Sequence, residues 1–224
     1  EQTGAVRDVL QSHLLQLAAL TLMDDASSQR DSIPMKRLHA LQSLHLPADK
    51  PLTFYARRGQ YEGYREEVGN GKSMAETYAS IALRSSDPKW SGVPIQLVTG
   101  KAMSDKQTVI RIQYRSELGF EPNELQMRIQ PEAGIMLKLW SKVPGYTPKI
   151  HQQSLSFDYS QSYTALPNAY EQVFLDAIRS DHTLFASSAE VMESWRIVDP
   201  ILRHWSMSED GLLIYPKGTD PSFS

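Results

Sequence analysis

The spacing of apolar residues changes twice along the chain. Over 7–23 the stretch RDVLQSHLLQLAALTLM is rich in Leu and Ala, both strong helix formers, with apolar residues around most of the circumference. That pattern predicts a buried helix. Ser32, with Pro34 just inside, opens a second helix carrying Leu38, Leu41 and Leu44 until Pro47 stops it. Short runs of β-branched and aromatic residues at 77–83, 94–98 and 108–114, bounded by turn formers, then predict strands. Alternation is clearest where Leu125, Met127 and Ile129 interleave with polar neighbours and Ile135, Leu137 and Leu139 follow after PEAG, a hairpin with one apolar face. Leu155, Phe157 and Tyr159 add a further strand. Asn168 can cap a helix over AYEQVFLDAIRS, and AEVMESWRIVDPILRHW carries another that Pro200 should kink or interrupt. The short connections favour antiparallel pairing. The expected fold is α+β, a large, mostly antiparallel sheet with helices packed on one face, forming one domain over 1–224 with a frayed tail at 217–224.

Composition narrows the function. With 224 residues, 41% hydrophobic and 22% charged, the chain can build a sizeable core. A formal net charge of −3 argues against a nucleic-acid partner, whose phosphates call for a clustered basic surplus. Any anionic ligand must be gripped locally. The absence of Cys removes disulfides and thiolate metal sites and suits a reducing cytoplasm. The apolar run over 14–23 is too short to span a bilayer, so no membrane role is expected. The first residue is Glu, not Met, and helical pattern begins at once, so the chain reads as a fragment.

Candidate chemistry is sparse when residues are read singly. His13 lies on the Leu-rich helix, and an imidazole titrates near neutrality, but an ordinary core or surface histidine is the plainer reading. Asp8 lies five residues earlier, about 140° around an α-helix, which keeps the two from pairing. The two could still line two sides of one substrate, but a first-turn carboxylate favoured by the helix dipole is the commoner case. Lys101, after Gly100, and Lys106 bracket a turn that could hold a phosphate or sugar hydroxyls, or form a solvated rim. No phosphate-binding loop of the Walker type and no Gly-x-Gly-x-x-Gly is present. The other histidines lack metal-ligand spacing, so no metal is implied. Arg111, Arg128, Gln130 and Lys138 occupy polar strand positions, facing either solvent or an oligomer partner.

In series these signals resemble glucose-6-phosphate dehydrogenases. TGAVRDVLQSHLLQLAAL resembles that family's Gly-x-x-Arg-Asp-x-x-Gln-Asn-His-Leu-Leu-Gln helix. RGQYEGYREE, WSGVPIQLVTGKAMSDK, NELQMRIQPEAGI, PNAYEQVFLDAIRSDHTLF, SWRIVDPIL and a bacterial-type LLIYPKGT ending follow in the family's order. The resemblance implies the C-terminal, substrate-binding and dimerising part of an enzyme that oxidises glucose 6-phosphate to 6-phosphogluconolactone with NADP, the entry to the pentose phosphate pathway. In it His13 is the general base, and Asp8, Lys101, Lys106 and Gln130 contact substrate. A carboxylate for hydroxyls and ammonium groups for phosphate fit that ligand. NADP would be held mainly by a preceding Rossmann half, without which this chain alone is expected to be inert. A homodimer through the sheet is implied. The alternative role is a non-catalytic dimerisation module. Ser12 stands where the family usually has Asn. Arg111, Arg128 and Lys138 match part of the second, structural NADP site of animal relatives, whereas Val98, Gln107 and Met136 replace the rest, so that site is expected to be absent or weak.

Overall fold

The Leu-rich opening stretch is one continuous helix with a change of winding. In this computed structural model, which describes residues 3–25, 32–116, 119–162, 169–208 and 211–221, Val6–Leu14 is π-wound and runs into the α-helix α1, Leu15–Leu22. The Leu15 N–H reaches back five residues to the Leu10 carbonyl. The buried residues of this segment accordingly recur every five, as Val6 with Gln11 and Leu10 with Leu15. Further helices are α2, Ile33–Ser43; the short turns α3, Leu52–Tyr55, and α4, Tyr64–Glu67; α5, Tyr159–Ser162; α6, Ala169–Ile178; and α7, Ser188–Ser206. Asn168, the expected cap of α6, lies outside the described residues.

The α+β expectation holds, with the strands divided between two sheets. The chain forms two compact units, 1–104 with 176–224, and 105–175. In the first, β3 (Tyr78–Ser85) is central. It pairs antiparallel with β4 (Ile95–Gly100) on one side, and with β1 (Leu44–His45) and β2 (Ala56–Tyr61) along the other. The ninth strand of the chain, β9 (Leu212–Tyr215), lies parallel to β2. Ala79, Ile81 and Leu83 alternate onto one face of β3 and join Leu10, Leu15, Leu41 and Ile197 in a single apolar cluster with the helices. The helices therefore cover that face, as expected. Arg196 of α7 caps the end of α2, donating to the carbonyls of Leu41 (3.1 Å) and Leu44 (2.9 Å).

Of the two outcomes expected at Pro200, interruption does not occur, since α7 runs unbroken through it. A proline forfeits one backbone hydrogen bond. Here the capping box of Ser187 and Glu190 and the burial of Ile197, Val198, Ile201 and Trp205 on both sides of it hold the helix together.

The second unit is an antiparallel meander of β5 (Thr108–Gln113), β6 (Glu124–Gln130), β7 (Gly134–Lys142) and β8 (Ile150–Asp158). Its register confirms the alternation read from the sequence. Leu125 faces Leu137 and Met127 faces Ile135, and on the other side of β7 Leu137 faces Leu155 and Ile135 faces Phe157.

The tail over 217–221 is tied down where its composition suggested fraying. Lys217 pairs with Glu67, the Gly218 N–H donates to the Ala102 carbonyl (2.8 Å), and the Asp220 carboxylate accepts from the Ser104 hydroxyl (2.8 Å). Parallel pairing of β9 with β2 delivers the tail to these partners.

Candidate active site

The π winding changes which residues of the opening helix stand together. In an α-helix Asp8 and His13 would face apart, but the i to i+5 winding turns less per residue and brings the two exposed side chains closer to one flank. The Ser12 hydroxyl donates to the Asp8 carbonyl at 2.6 Å, a local bond available to a hydroxyl at this position.

Asp8 and Lys101 meet. The Lys101 ammonium lies 3.8 Å from the Asp8 carboxylate, with the side chains 59% and 53% exposed. A pair so open to water contributes little to stability. It does present an acceptor and a donor cation side by side, the acceptor on the helix that carries His13. Lys101 follows β4, and the turn is tight: a Cβ at Gly100 would come within 2.9 Å of the Tyr78 ring and 2.5 Å of the Met103 sulfur.

Glu76 anchors the start of the helix, a role the sequence did not announce. Gly4 takes φ +68, and a Cβ there would lie 2.3 Å from the Glu76 carboxylate. Past it, the Ala5 N–H donates to the Glu76 carbonyl (2.9 Å) and the Val6 N–H to its carboxylate (3.1 Å). A carboxylate at a helix start satisfies orphan N–H groups and meets the positive end of the dipole. Burial nevertheless pushes the Glu76 carboxyl above its ordinary value, against these hydrogen bonds and the Arg58 charge. Arg58 is itself buried, its guanidinium donating to the carbonyls of Trp205 (3.1 Å) and Ser208 (2.6 Å).

Lys106 and Gln130 belong to the second unit. Gln130 faces Thr108 in the β5–β6 register, two residues from Lys106, so both stand at one end of the meander, exposed. Arg111, Arg128 and Lys138 share one face of that sheet by strand alternation. Two of the three are engaged there: Arg128 pairs with Asp158, and Lys138 lies 3.5 Å from Glu124. Among the described residues no cluster of His, Asp and Glu has the makings of a metal site, and no helix is long and apolar enough to cross a membrane.

The fold and the site together define an α+β chain that pairs an exposed carboxylate with an ammonium group and carries an exposed imidazole on the same helix as the carboxylate. Residues 1–222 match the family model described as "Glucose-6-phosphate dehydrogenase, C-terminal domain", and the chain belongs to that family. It is 33% identical to glucose-6-phosphate 1-dehydrogenase of Mycolicibacterium smegmatis, over 98% of this chain and 49% of that protein. It is 35% identical to cytoplasmic glucose-6-phosphate 1-dehydrogenase 5 of Arabidopsis thaliana, over 98% and 44%. A solved glucose-6-phosphate dehydrogenase in complex with its substrate glucose-6-phosphate superposes with a TM-score of 0.86 at 30% identity, covering 98% of this chain and 48% of that one. The chain thus spans about half the length of the relatives it matches.

Proposed function

We propose that this chain supplies the substrate side of an NADP-dependent glucose-6-phosphate dehydrogenase. The observation that carries the reading is the 3.8 Å approach of Lys101, from the turn after β4, to Asp8 on the helix that bears His13. A sugar phosphate needs acceptors for its hydroxyls and cations for its phosphate, and the pair offers both within the reach of one ligand. Lys106 and Gln130 supply further contacts. His13 takes the proton of the sugar C1 hydroxyl as the C1 hydride departs, which closes C1 to the lactone carbonyl. The bound nicotinamide supplies the hydride acceptor.

NADP is held mainly outside this chain. The basic face of the meander is a poor fit for a second dinucleotide, because Arg128 and Lys138 would have to leave Asp158 and Glu124. A homodimer through the meander sheet and a cytoplasmic setting complete the proposal, the latter supported by the lack of Cys and by the relative named cytoplasmic. The domain over 1–224 then joins substrate binding to dimerisation.

The test is His13→Asn in the full-length protein. We expect kcat to fall by about 10²-fold or more, with the KM for glucose 6-phosphate changed little. Turnover at the unmodified level would remove His13 from the role of base.

A further inference from the structure

Lys101 has a mobile type of head on a backbone that is fixed on both sides. Its N–H donates to the Thr77 carbonyl (2.8 Å), and its carbonyl accepts from the Tyr215 hydroxyl (2.7 Å). Proton counting sets the direction of the remaining bonds. The Thr77 hydroxyl oxygen already accepts from the Tyr61 N–H (3.0 Å), and the Tyr215 hydroxyl has one proton, directed at Lys101. The 3.0 Å contact between the two hydroxyls therefore has Thr77 as donor. A one-way chain runs from the β2 backbone through Thr77 and Tyr215 to the Lys101 carbonyl. Thr77 and Tyr215 are 2% and 4% exposed, so water does not compete for these bonds. Burial also pushes the Tyr215 hydroxyl above its ordinary value, which keeps it a donor across the working range of pH.

The tail continues the grip. Ala102 holds φ +52, a left-handed conformation unusual for a residue with a Cβ, and its carbonyl accepts from the Gly218 N–H at 2.8 Å. Ser104 gives both its N–H (3.2 Å) and its hydroxyl (2.8 Å) to Asp220. Positions 101, 102 and 104 are thus all bound by the segment from Tyr215 to Asp220. The room for Tyr215 comes from Gly59, where a Cβ would lie 3.2 Å from its ring.

We propose that Tyr215 is a positioning residue: with the tail through Asp220, it fixes the Lys101 backbone so that the ammonium stands opposite Asp8, and thereby sets the affinity for the phosphosugar. The affinity part rests on the reading of Lys101 and Asp8 as substrate contacts. The holding part does not.

Tyr215→Phe, Lys101→Met and their combination in the full-length protein test it, with hydrogen exchange over 101–104 read alongside steady-state kinetics. Phe keeps the ring among Tyr61 and Tyr78, whose centroids lie 6.4 and 5.9 Å away, so the fold is retained. Tyr215→Phe should speed exchange over 101–104 and raise KM for glucose 6-phosphate about tenfold, the worth of one buried hydrogen bond, with kcat within about twofold. In the Lys101→Met background it should add less than about twofold to KM, because the residue it acts through is gone. Asp220→Ala, which loosens the same loop from the surface, should move both readouts the same way by less. Unchanged exchange overturns the holding role. An equal rise of KM in both backgrounds overturns action through Lys101. A Lys101→Met protein with unaltered KM brings down the substrate reading and the affinity part with it, while exchange in Tyr215→Phe still decides the holding role.

Discussion

The Arg37 guanidinium on α2 meets the Glu190 carboxylate on α7 at 2.7 Å, with the side chains 3% and 0% exposed. Its other donors go to the carbonyls of Thr183 (2.9 Å) and Phe185 (2.7 Å), while Glu190 also accepts the Ser187 N–H (2.7 Å) that closes the capping box. One carboxylate thus neutralises a buried cation and starts a helix. Removing either partner alone strands a charge in the core, at a cost of about 3–5 kcal/mol. Arg37→Met and Glu190→Gln should each lower the urea midpoint strongly, whereas the two combined should cost well under the sum. Strict additivity would mean that the two side chains do not depend on each other.

Glu76 gives a pH dependence with a definite sign. Its folded-state pKa is raised above 4.5 chiefly by burial. Above that raised value the carboxylate is charged in both states and less comfortable in the folded one, so it subtracts stability. The penalty is withdrawn as pH falls through the raised pKa toward 4.5, where the folded state binds the extra proton. Glu76→Gln keeps an acceptor for the Val6 N–H and removes the charge. The stability of the Gln variant relative to the parent should be greatest at pH 7–8 and shrink as pH falls to about 4.5. Thermal melts of both proteins across that range check it, and a gap that widens on acidification would reverse the assignment.

The parts of the fold legible in the sequence are those where burial follows hydrophobicity. Leu125, Met127, Ile135 and Leu137 alternate as their register requires, and the meander could be read before it was seen. The strand β2 could not. Its sequence ARRGQY buries Arg58 and Gln60, at 3% and 1% exposure, and bonds them to carbonyls of Trp205, Ser208, Ser73 and Ala75 that no local pattern foretells. The π winding was invisible for a related reason: a Leu-rich run supports either register, and packing chooses. His13, Asp8 and Lys101 gained weight in the sequence only by family resemblance. The 3.8 Å pair then emerged from a helix and a strand end about ninety residues apart. Lys106 and Gln130 fall in the other compact unit, where they share one end of the sheet.

The meander leaves its apolar face open. Leu155, Phe157 and Ile135 are 61%, 43% and 37% exposed and adjoin one another across β7 and β8. A contiguous apolar face of this kind suits a second copy of the chain. Leu155→Arg together with Phe157→Glu should convert the proposed dimer to monomer, as read by light scattering over a range of concentrations. Surface positions such as these leave the first unit's core untouched, so its thermal transition should persist. A dimer that survives both substitutions lies on another surface.

Gly100 separates packing from chemistry at the Lys101 turn. A Cβ there meets Met103, whose side chain can swing away, and the Tyr78 ring at 2.9 Å, which cannot move easily because Tyr78 is 3% exposed. Overpacking of this kind costs about 1–3 kcal/mol. Relief must come from the turn itself, and that moves the residue next in sequence, Lys101. Gly100→Ala should therefore lower the melting temperature and raise KM for glucose 6-phosphate together. Gly71→Ala is the matched control, since nothing lies within 4 Å of a Cβ at that position and its backbone is not left-handed. It should shift stability by no more than about 0.5 kcal/mol and leave KM alone. If Gly100→Ala lowers stability without touching KM, the turn has yielded at Tyr78 instead, and the placement of Lys101 is less sensitive to its neighbour than the close contact implies.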